Sequence, residues 1–396
     1  MGFIKKIIWF FLYGINCIIP KKRTRILFHS EPSFSDNAKA LWEYIDINFK
    51  YETIWIVDDD DLYHKMKQKG IGVYHNNTFL GFWKIFRSKY LVTTHVPVFI
   101  KVKANNQILI NLWHGVPLKC MGFLDKTESK KALVHTKFFS DKTDFFITTS
   151  AIMKYALISC FYINPSKVLV LGQPRNDKIL SLNYKVDLLE NLLQVSINNY
   201  NKVLLYVPTF RVGYGQRVEG EKIDIVGCNY MRLKKFDYEK FESFLKENNY
   251  LLVMKLHPIE EKYYKESIEA ANSSHIKFLW TQDMQENMCF LYDFLNLFDV
   301  LITDYSSVFY DYLLCNRPLV FLDNDIEEYK SVRGLIFDDP YFWMPGYKVK
   351  SLLDLQKALV QCFSNDIYID KRMKINKLVN LYQDDQASQR ISKLFS

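Results

Sequence analysis

The sequence predicts an α/β chain built on two doubly wound parallel sheets, and three observations carry that expectation. Short β-branched and aromatic runs alternate with longer amphipathic stretches, the rhythm of parallel strands joined by helical crossovers. The runs fall into two series separated by a polar stretch at 183–202, where Asn198, Asn199 and Asn201 precede the first strand of the second series. The chain has 396 residues, 49% hydrophobic and 24% charged, which fills two sizeable cores and excludes disorder, collagen-like repetition and a staple-dependent mini-protein. With only 14 Gly and 11 Pro, the mass sits in regular elements joined by sparing turns.

The first element is an apolar segment, Ile7–Ile19, set between Lys5, Lys6 and Lys21, Lys22, Arg23. As a helix, its thirteen residues would span about 20 Å against a hydrocarbon core of roughly 30 Å, too short to cross a bilayer. No small-x-small cleavage site follows it, and Lys6 stands where myristoylation needs Ser or Thr. Two readings stay open. An interfacial helix would set Trp9, Phe10, Phe11 and Tyr13 at headgroup level with its bases on anionic lipid; otherwise a first helix folds onto the domain. The charge pattern favours the former: six bases precede the first acid, Glu31, so +6 of the formal +8 lies in residues 1–25. A local cluster of that kind suits an anionic membrane surface better than nucleic acid, which is not expected as a partner.

The first strand series follows as Ile26–Ser30, Thr53–Val57, Ile71–Tyr74, Tyr90–Thr94, Ile108–Trp113, Phe145–Thr148 and Val168–Leu171. The second comprises Val203–Val207, Tyr250–Lys255, Ile276–Leu279, Val300–Thr303 and Leu319–Leu322. Helices are expected at Leu352–Ser364 and Lys371–Tyr382. The division expected is a membrane-associating segment at 1–22, an N-terminal domain at 23–185, a C-terminal domain at 186–370, and final helices at 371–396 packing back across an intervening cleft. The seven Cys are scattered, with no C-x-x-C spacing, which fits a reducing cytoplasm and argues against a disulfide framework or zinc ribbon.

In open α/β sheets ligands bind beyond the carboxyl ends of strands, so residues just after each run are the informative ones. Four positions stand out. In Asn111–Lys119 (NLWHGVPLK) a buried strand ends at His114, whose imidazole could act as a general base or serve structure alone. Val207–Arg211 (VPTFR) leads into a loop where Arg211 could grip a phosphate in its planar fork. Met254–Pro258 places Lys255 and His257 two residues apart on one face. In Asp299–Asp311 a strand terminates at Asp304, and Ser306 and Ser307 open a helix, either as an anion site or as a plain N-cap. Downstream, Asp325–Tyr329 offers carboxylates for ribose hydroxyls or for a helix start. The acidic run Asp58–Asp61 is read as the N-terminal dipole partner of a helix, and no metal is expected there or among the histidines. No Walker A, complete G-x-G-x-x-G or G-x-S-x-G motif occurs.

Together NLWHGVPLK, LGQPRND, YVPTFR, KLHP, DVLITDYSSVFYD, RPLVF, DIEEY and RGLIFD resemble, in order and spacing over about Ile108–Asp338, the CDP-glycerol glycerophosphotransferase family that builds teichoic acids and related polymers. The resemblance implies a glycosyltransferase B fold of two Rossmann-like domains, with the acceptor N-terminal and the CDP-activated donor held C-terminally. It implies transfer of glycerol phosphate or ribitol phosphate to a hydroxyl of a lipid-linked or glycan acceptor, with release of CMP, by a peripheral enzyme on the cytoplasmic face of the membrane. No cofactor or metal is implied, the product is wall teichoic acid or a capsule polymer, and a homo-oligomer is compatible with it. By residue, the resemblance makes His114 the base and His257 the second essential histidine beside the pyrophosphate. Arg211, Ser306 and Ser307 would hold the donor pyrophosphate, Thr209 and Arg333 would also bind the donor, and Glu327 or Glu328 would bind the ribose. Asp304, Gly115, Asn176 and Asp177 would support them. This chain departs from the family pattern with Val116 in place of Thr, Phe210 in place of Trp and Gln173 in place of Leu, beside the proposed positions. The long N-terminal extension of some polymerising members is not seen, which fits a primer-type or short-chain enzyme. The alternatives are a nucleotide-sugar glycosyltransferase of the same fold and a catalytically silent, membrane-associated envelope binding protein.

Overall fold

The computed structural model describes all residues except Met1, 182–184, 210–228, 234–235, Asn272, Asp325, Arg333 and Ser396. The chain forms two compact units. The first comprises Met1–Gly115, Glu128–Lys178 and Leu381–Ser396, and the second Val116–Thr127 and Ile179–Asn380.

The first unit holds a seven-stranded sheet ordered β3-β2-β1-β4-β5-β6-β7, parallel throughout. Its strands are β1 Lys22–His29, β2 Glu52–Val57, β3 Val73–His75, β4 Ser88–Thr93, β5 Ile108–Asn111, β6 Phe145–Thr148 and β7 Val168–Val170. Central strands of such a sheet are covered on both faces and therefore read as continuous apolar runs. Ile26, Leu27, Phe28, Leu91, Val92, Leu109 and Ile110 accordingly have essentially no exposed surface. Around Trp55 the aromatic core is tight, with Phe28 at 5.4 Å and Phe34 at 4.9 Å between ring centroids. Each such side chain contributes roughly 1.5–3 kcal/mol through burial.

The first helix, Gly2–Ile18, is tied to its unit on one face and leaves apolar side chains exposed on another. It is anchored to its unit by Asn16, which is fully buried and donates to the Val102 carbonyl (2.6 Å) and Gln107 Oε1 (2.8 Å). Trp9 and Tyr13 turn partly inward, Trp9 beside Phe82 at 6.5 Å and Tyr13 beneath Lys142. Ile7, Ile8, Phe10, Phe11 and Ile18 remain at least half exposed. Next to them the Phe79–Arg87 helix exposes Phe79, Leu80 and Trp83. Several of the clustered bases are engaged within the fold. Lys21 Nζ bonds the Asn16 and Phe86 carbonyls, and burial pushes its pKa down to about 8. Lys22 and Arg25 both pair with Glu52, at 2.6 and 2.9 Å. No helix among the described residues is long and apolar enough to cross a membrane. The acidic run opens the Asp60–Gln68 helix, where Asp59 accepts from the Leu62 N–H at 2.7 Å.

The second unit holds a six-stranded parallel sheet ordered β10-β9-β8-β11-β12-β13. Its strands are β8 Lys202–Val207, β9 Tyr250–Met254, β10 Ile276–Phe278, β11 Val300–Thr303, β12 Leu319–Leu322 and β13 Tyr347–Val349. The last of these has no counterpart among the expected strands. It follows Gly346, where a Cβ would sit 2.2 Å from the Leu319 carbonyl oxygen, so only glycine lets the chain approach β12 this closely. Helices Leu352–Ser364 and Ile369–Val379 belong to this unit. The terminal Ala387–Ser392 helix belongs to the first unit, which the chain rejoins where the Leu381 N–H donates to the Thr149 carbonyl at 2.9 Å.

Candidate active site

In the first unit, β5 ends at Asn111 and the chain turns through Trp113, whose φ of +56° lies in the left-handed region. His114 follows, its ring stacked on Trp113 with centroids 4.3 Å apart. His114 Nδ1 lies 2.9 Å from the Thr94 carbonyl, which can only accept, so this nitrogen carries the proton. In the neutral ring Nε2 then holds the lone pair, the state a general base requires. By surface area the side chain is open to solvent, while protein crowds the rest of the ring, and this desolvation lowers its pKa below the ordinary histidine value. Smaller influences come from the Thr94 carbonyl, Asp36 and Glu31, which favour the proton against desolvation, and from Arg175, whose charge adds to desolvation in disfavouring it.

Gly115 follows, buried, as the last residue of this part of the unit. Asn176 and Asp177 lie on the Pro174–Leu180 helix. Asp177 caps the terminal helix by accepting from the Ala387 and Ser388 N–H groups at 2.9 and 2.8 Å, and burial pushes its pKa up to about 6. Sequence reasoning missed their neighbour Arg175, which donates from Nη1 to the His114 carbonyl (2.9 Å) and to Asp36 Oδ1 (2.8 Å). It also missed Asn37, which donates to the Trp113 carbonyl at 2.9 Å. The LGQPRND motif was the available signal for Arg175.

In the second unit, the ends of β8 and β11 meet through Asp304 and Thr209. Buried Asp304 accepts both the backbone N–H (2.8 Å) and the hydroxyl (2.5 Å) of Thr209. The Thr209 hydroxyl proton is thereby committed to Asp304, and its oxygen accepts from Lys119 Nζ at 3.2 Å. Arg232 extends this network, donating to the Thr209 carbonyl (2.6 Å) and gripping fully buried Glu260 at 2.7 and 2.8 Å. Ser306 and Ser307 are half-buried just beyond β11. Ser307 makes no side-chain cap bond to the five-residue Val308–Tyr312 helix, so the N-cap reading does not describe its hydroxyl.

His257 is exposed at the start of the Pro258–Ala271 helix, and its carbonyl accepts from the Glu260 and Glu261 N–H groups. Desolvation first, and then the Lys255 charge, lower its pKa, while Glu261 opposes them. Lys255 itself is engaged with Glu261 (2.6 Å) and Thr281 (2.8 Å). Glu327 is exposed on the Ile326–Val332 helix. Arg211, Arg333 and the side chain of Glu328 lie outside the described residues. Thus His114, Gly115, Asn176 and Asp177 belong to the first unit, and His257, Thr209, Asp304, Ser306, Ser307 and Glu327 to the second.

These strand-end residues occur in a chain with close relatives in overall pattern. It is 26% identical, over 98% of its own length and 97% of the relative's, to a teichoic acid glycerol-phosphate transferase of Staphylococcus aureus. It is 26% identical, over 84% of its length and 82% of the relative's, to a teichoic acid poly(glycerol phosphate) polymerase of Bacillus spizizenii. The solved structure of the wall teichoic acid polymerase TagF superimposes with a TM-score of 0.76 over 95% of this chain and 89% of that one, at 21% identity, which shows the glycosyltransferase B fold. The family model of CDP-glycerol:poly(glycerophosphate) glycerophosphotransferase matches residues 11–395, and the chain belongs to that family.

Proposed function

We propose that this chain moves glycerol phosphate or ribitol phosphate from a CDP-activated donor to a hydroxyl of a lipid-linked or glycan acceptor, releasing CMP, in the synthesis of teichoic acid or a related envelope polymer. The observation that carries the reading is His114, a strand-end histidine whose tautomer is set by the Thr94 carbonyl so that Nε2 can accept a proton.

In this reading Nε2 of His114 takes the proton of the acceptor hydroxyl as that oxygen bonds to the polyol-side phosphorus. The bond from this phosphorus to the bridging oxygen breaks, and CMP leaves with the electron pair. Such phosphoryl transfer depends on positioning and charge neutralisation more than on covalent chemistry. From the sequence alone, Arg211 and Arg333 supply positive charge to the donor, and His257 and the hydroxyls of Ser306 and Ser307 supply hydrogen bonds to it. Glu327 or Glu328 takes the ribose. Asp304 orders the β8 and β11 ends, and Thr209, its hydroxyl spent on Asp304, acts with it as a support.

The lipid-linked acceptor matches a chain that sits on the cytoplasmic face of the membrane through its first helix. Exposed Phe10 and Phe11, with neighbouring Phe79 and Trp83, would enter the headgroup region, and Arg23 would meet anionic lipid. The test of the reading is acceptor-dependent CMP release from CDP-glycerol or CDP-ribitol that is lost in His114→Ala.

A further inference from the structure

Trp113 is a bulky residue held at a φ of +56°. A left-handed conformation in such a residue is strained and persists only where the surroundings over-determine it. Side chains from three separate segments do so. Asn111 Oδ1 accepts the Trp113 N–H at 2.8 Å, Asn37 Nδ2 donates to the Trp113 carbonyl at 2.9 Å, and Arg175 Nη1 donates to the His114 carbonyl at 2.9 Å. The last two are themselves joined, because the Arg175 backbone N–H donates to Asn37 Oδ1 at 3.0 Å. Asp36 Oδ1 holds the same guanidinium nitrogen at 2.8 Å. Asn37 is completely buried and Arg175 is 4% exposed.

We propose that Asn37 and Arg175 form a clamp that positions His114 for proton abstraction by fixing the two successive carbonyls on either side of its backbone nitrogen. The proposal rests on the reading of His114 as the base. Both are positioning residues, since each acts on the Trp113–His114 backbone. Two fixed carbonyls set the planes of the peptides that flank the His114 Cα, and so the direction in which the ring leaves the backbone. With either bond lost, Trp113 can relax out of the left-handed region, and the ring turns away from the Thr94 carbonyl that sets its tautomer. A displacement of about 1 Å at a reacting group costs on the order of 100-fold in rate.

The experiment compares wild type, Asn37→Ser, Arg175→Lys and His114→Ala, with the first two substitutions also placed in the His114→Ala background. The serine is too short to span Trp113 and Arg175 together, and the lysine keeps the charge without the planar fork. Folding is checked by thermal melting, and kcat and the donor KM are read from CMP release with CDP-glycerol and CDP-ribitol. The clamp predicts a kcat lower by about 100-fold with the donor KM unchanged, and no further loss when either substitution is added to His114→Ala. Should Arg175→Lys fail to fold, Asn37→Ser carries the same test. Wild-type kcat in the clamp variants beside an inactive His114→Ala would overturn the clamp alone. An equal further loss in the His114→Ala background would do the same, by revealing general damage. Wild-type turnover in His114→Ala would overturn the base and the clamp together.

Discussion

Asp304 accepts the backbone N–H and the hydroxyl of Thr209 through a single carboxylate oxygen, at 2.8 and 2.5 Å, joining the ends of two adjacent strands of the second sheet. Its other oxygen lies 3.8 Å from Arg232, whose guanidinium is shared with the Thr209 carbonyl and Glu260. Breaking one member of a buried charged network strands the others, which is where the large costs of such substitutions arise. Asp304→Ala is therefore expected to lower stability by about 3 kcal/mol, whereas Asp304→Asn, which keeps an acceptor for Thr209, should lose less. Urea unfolding of both variants checks the order, and equal stability of Asp304→Ala and wild type would remove Asp304 from the framework.

Acid sensitivity should trace in part to His29. Buried against His95 with ring centroids 4.8 Å apart, it has a pKa pushed down to about 3, chiefly by desolvation and then by the His95 charge. The unfolded chain takes up this proton near pH 6.5 while the folded protein refuses it, so the contribution is complete above that pH and is lost as pH falls below it. Melting temperature against pH should fall more steeply below pH 6.5 for wild type than for His29→Gln. Parallel curves would show that His29 does not carry the effect.

Asp177 has the opposite sign. Its folded pKa, about 6, stands above the ordinary aspartate value of 3.8, so the folded state binds the proton more tightly. Its contribution to stability is thus greatest below pH 3.8 and is lost as pH rises through 6. Asp177→Asn removes the buried charge but keeps an oxygen for only one of the Ala387 and Ser388 N–H groups, which Asp177 serves through separate oxygens, so its stability relative to wild type should be higher at pH 8 than at pH 4 by about 1–2 kcal/mol. A difference from wild type that stays the same at pH 4 and pH 8 would rule this out.

Membrane contact is best tested on the exposed face of the first helix, since Asn16 and Lys21 tie that helix to the fold and a deletion would also damage packing. Phe10 and Phe11 are 79% and 67% exposed, so replacing both with Asp should leave the melting temperature unchanged. The partition constant onto vesicles containing anionic lipid, read by sedimentation, should drop by about 100-fold or more, through loss of roughly 1.5–3 kcal/mol per inserted ring. Sedimentation equal to wild type would move the contact elsewhere.

The sheets were legible because parallel strands buried on both faces leave continuous apolar runs, and twelve of the thirteen strands among the described residues fall on the expected runs. β13 does not, being three residues with Lys348 at its centre, and its pairing depends on the bare backbone of Gly346. His114 and Asp304 were legible because they end such runs. Their partners were not. Arg175 meets Asn37 across 138 residues of sequence, and Asn37 meets Trp113 across 76, separations at which no local pattern survives. The basic cluster at the N-terminus misled in one respect: charge counting treats Lys21, Lys22 and Arg25 as surface cations, whereas folding gives Lys21 backbone carbonyls and the other two Glu52.

Proton transfer at His114 is read out by CMP release. Purified wild type and His114→Ala are each given CDP-glycerol or CDP-ribitol, with and without a lipid-linked disaccharide acceptor. Acceptor-dependent CMP from one of the two donors is expected in wild type, reduced at least about 100-fold in His114→Ala. Undiminished CMP release in His114→Ala, or turnover of a sugar nucleotide in place of both CDP-polyols, would contradict it.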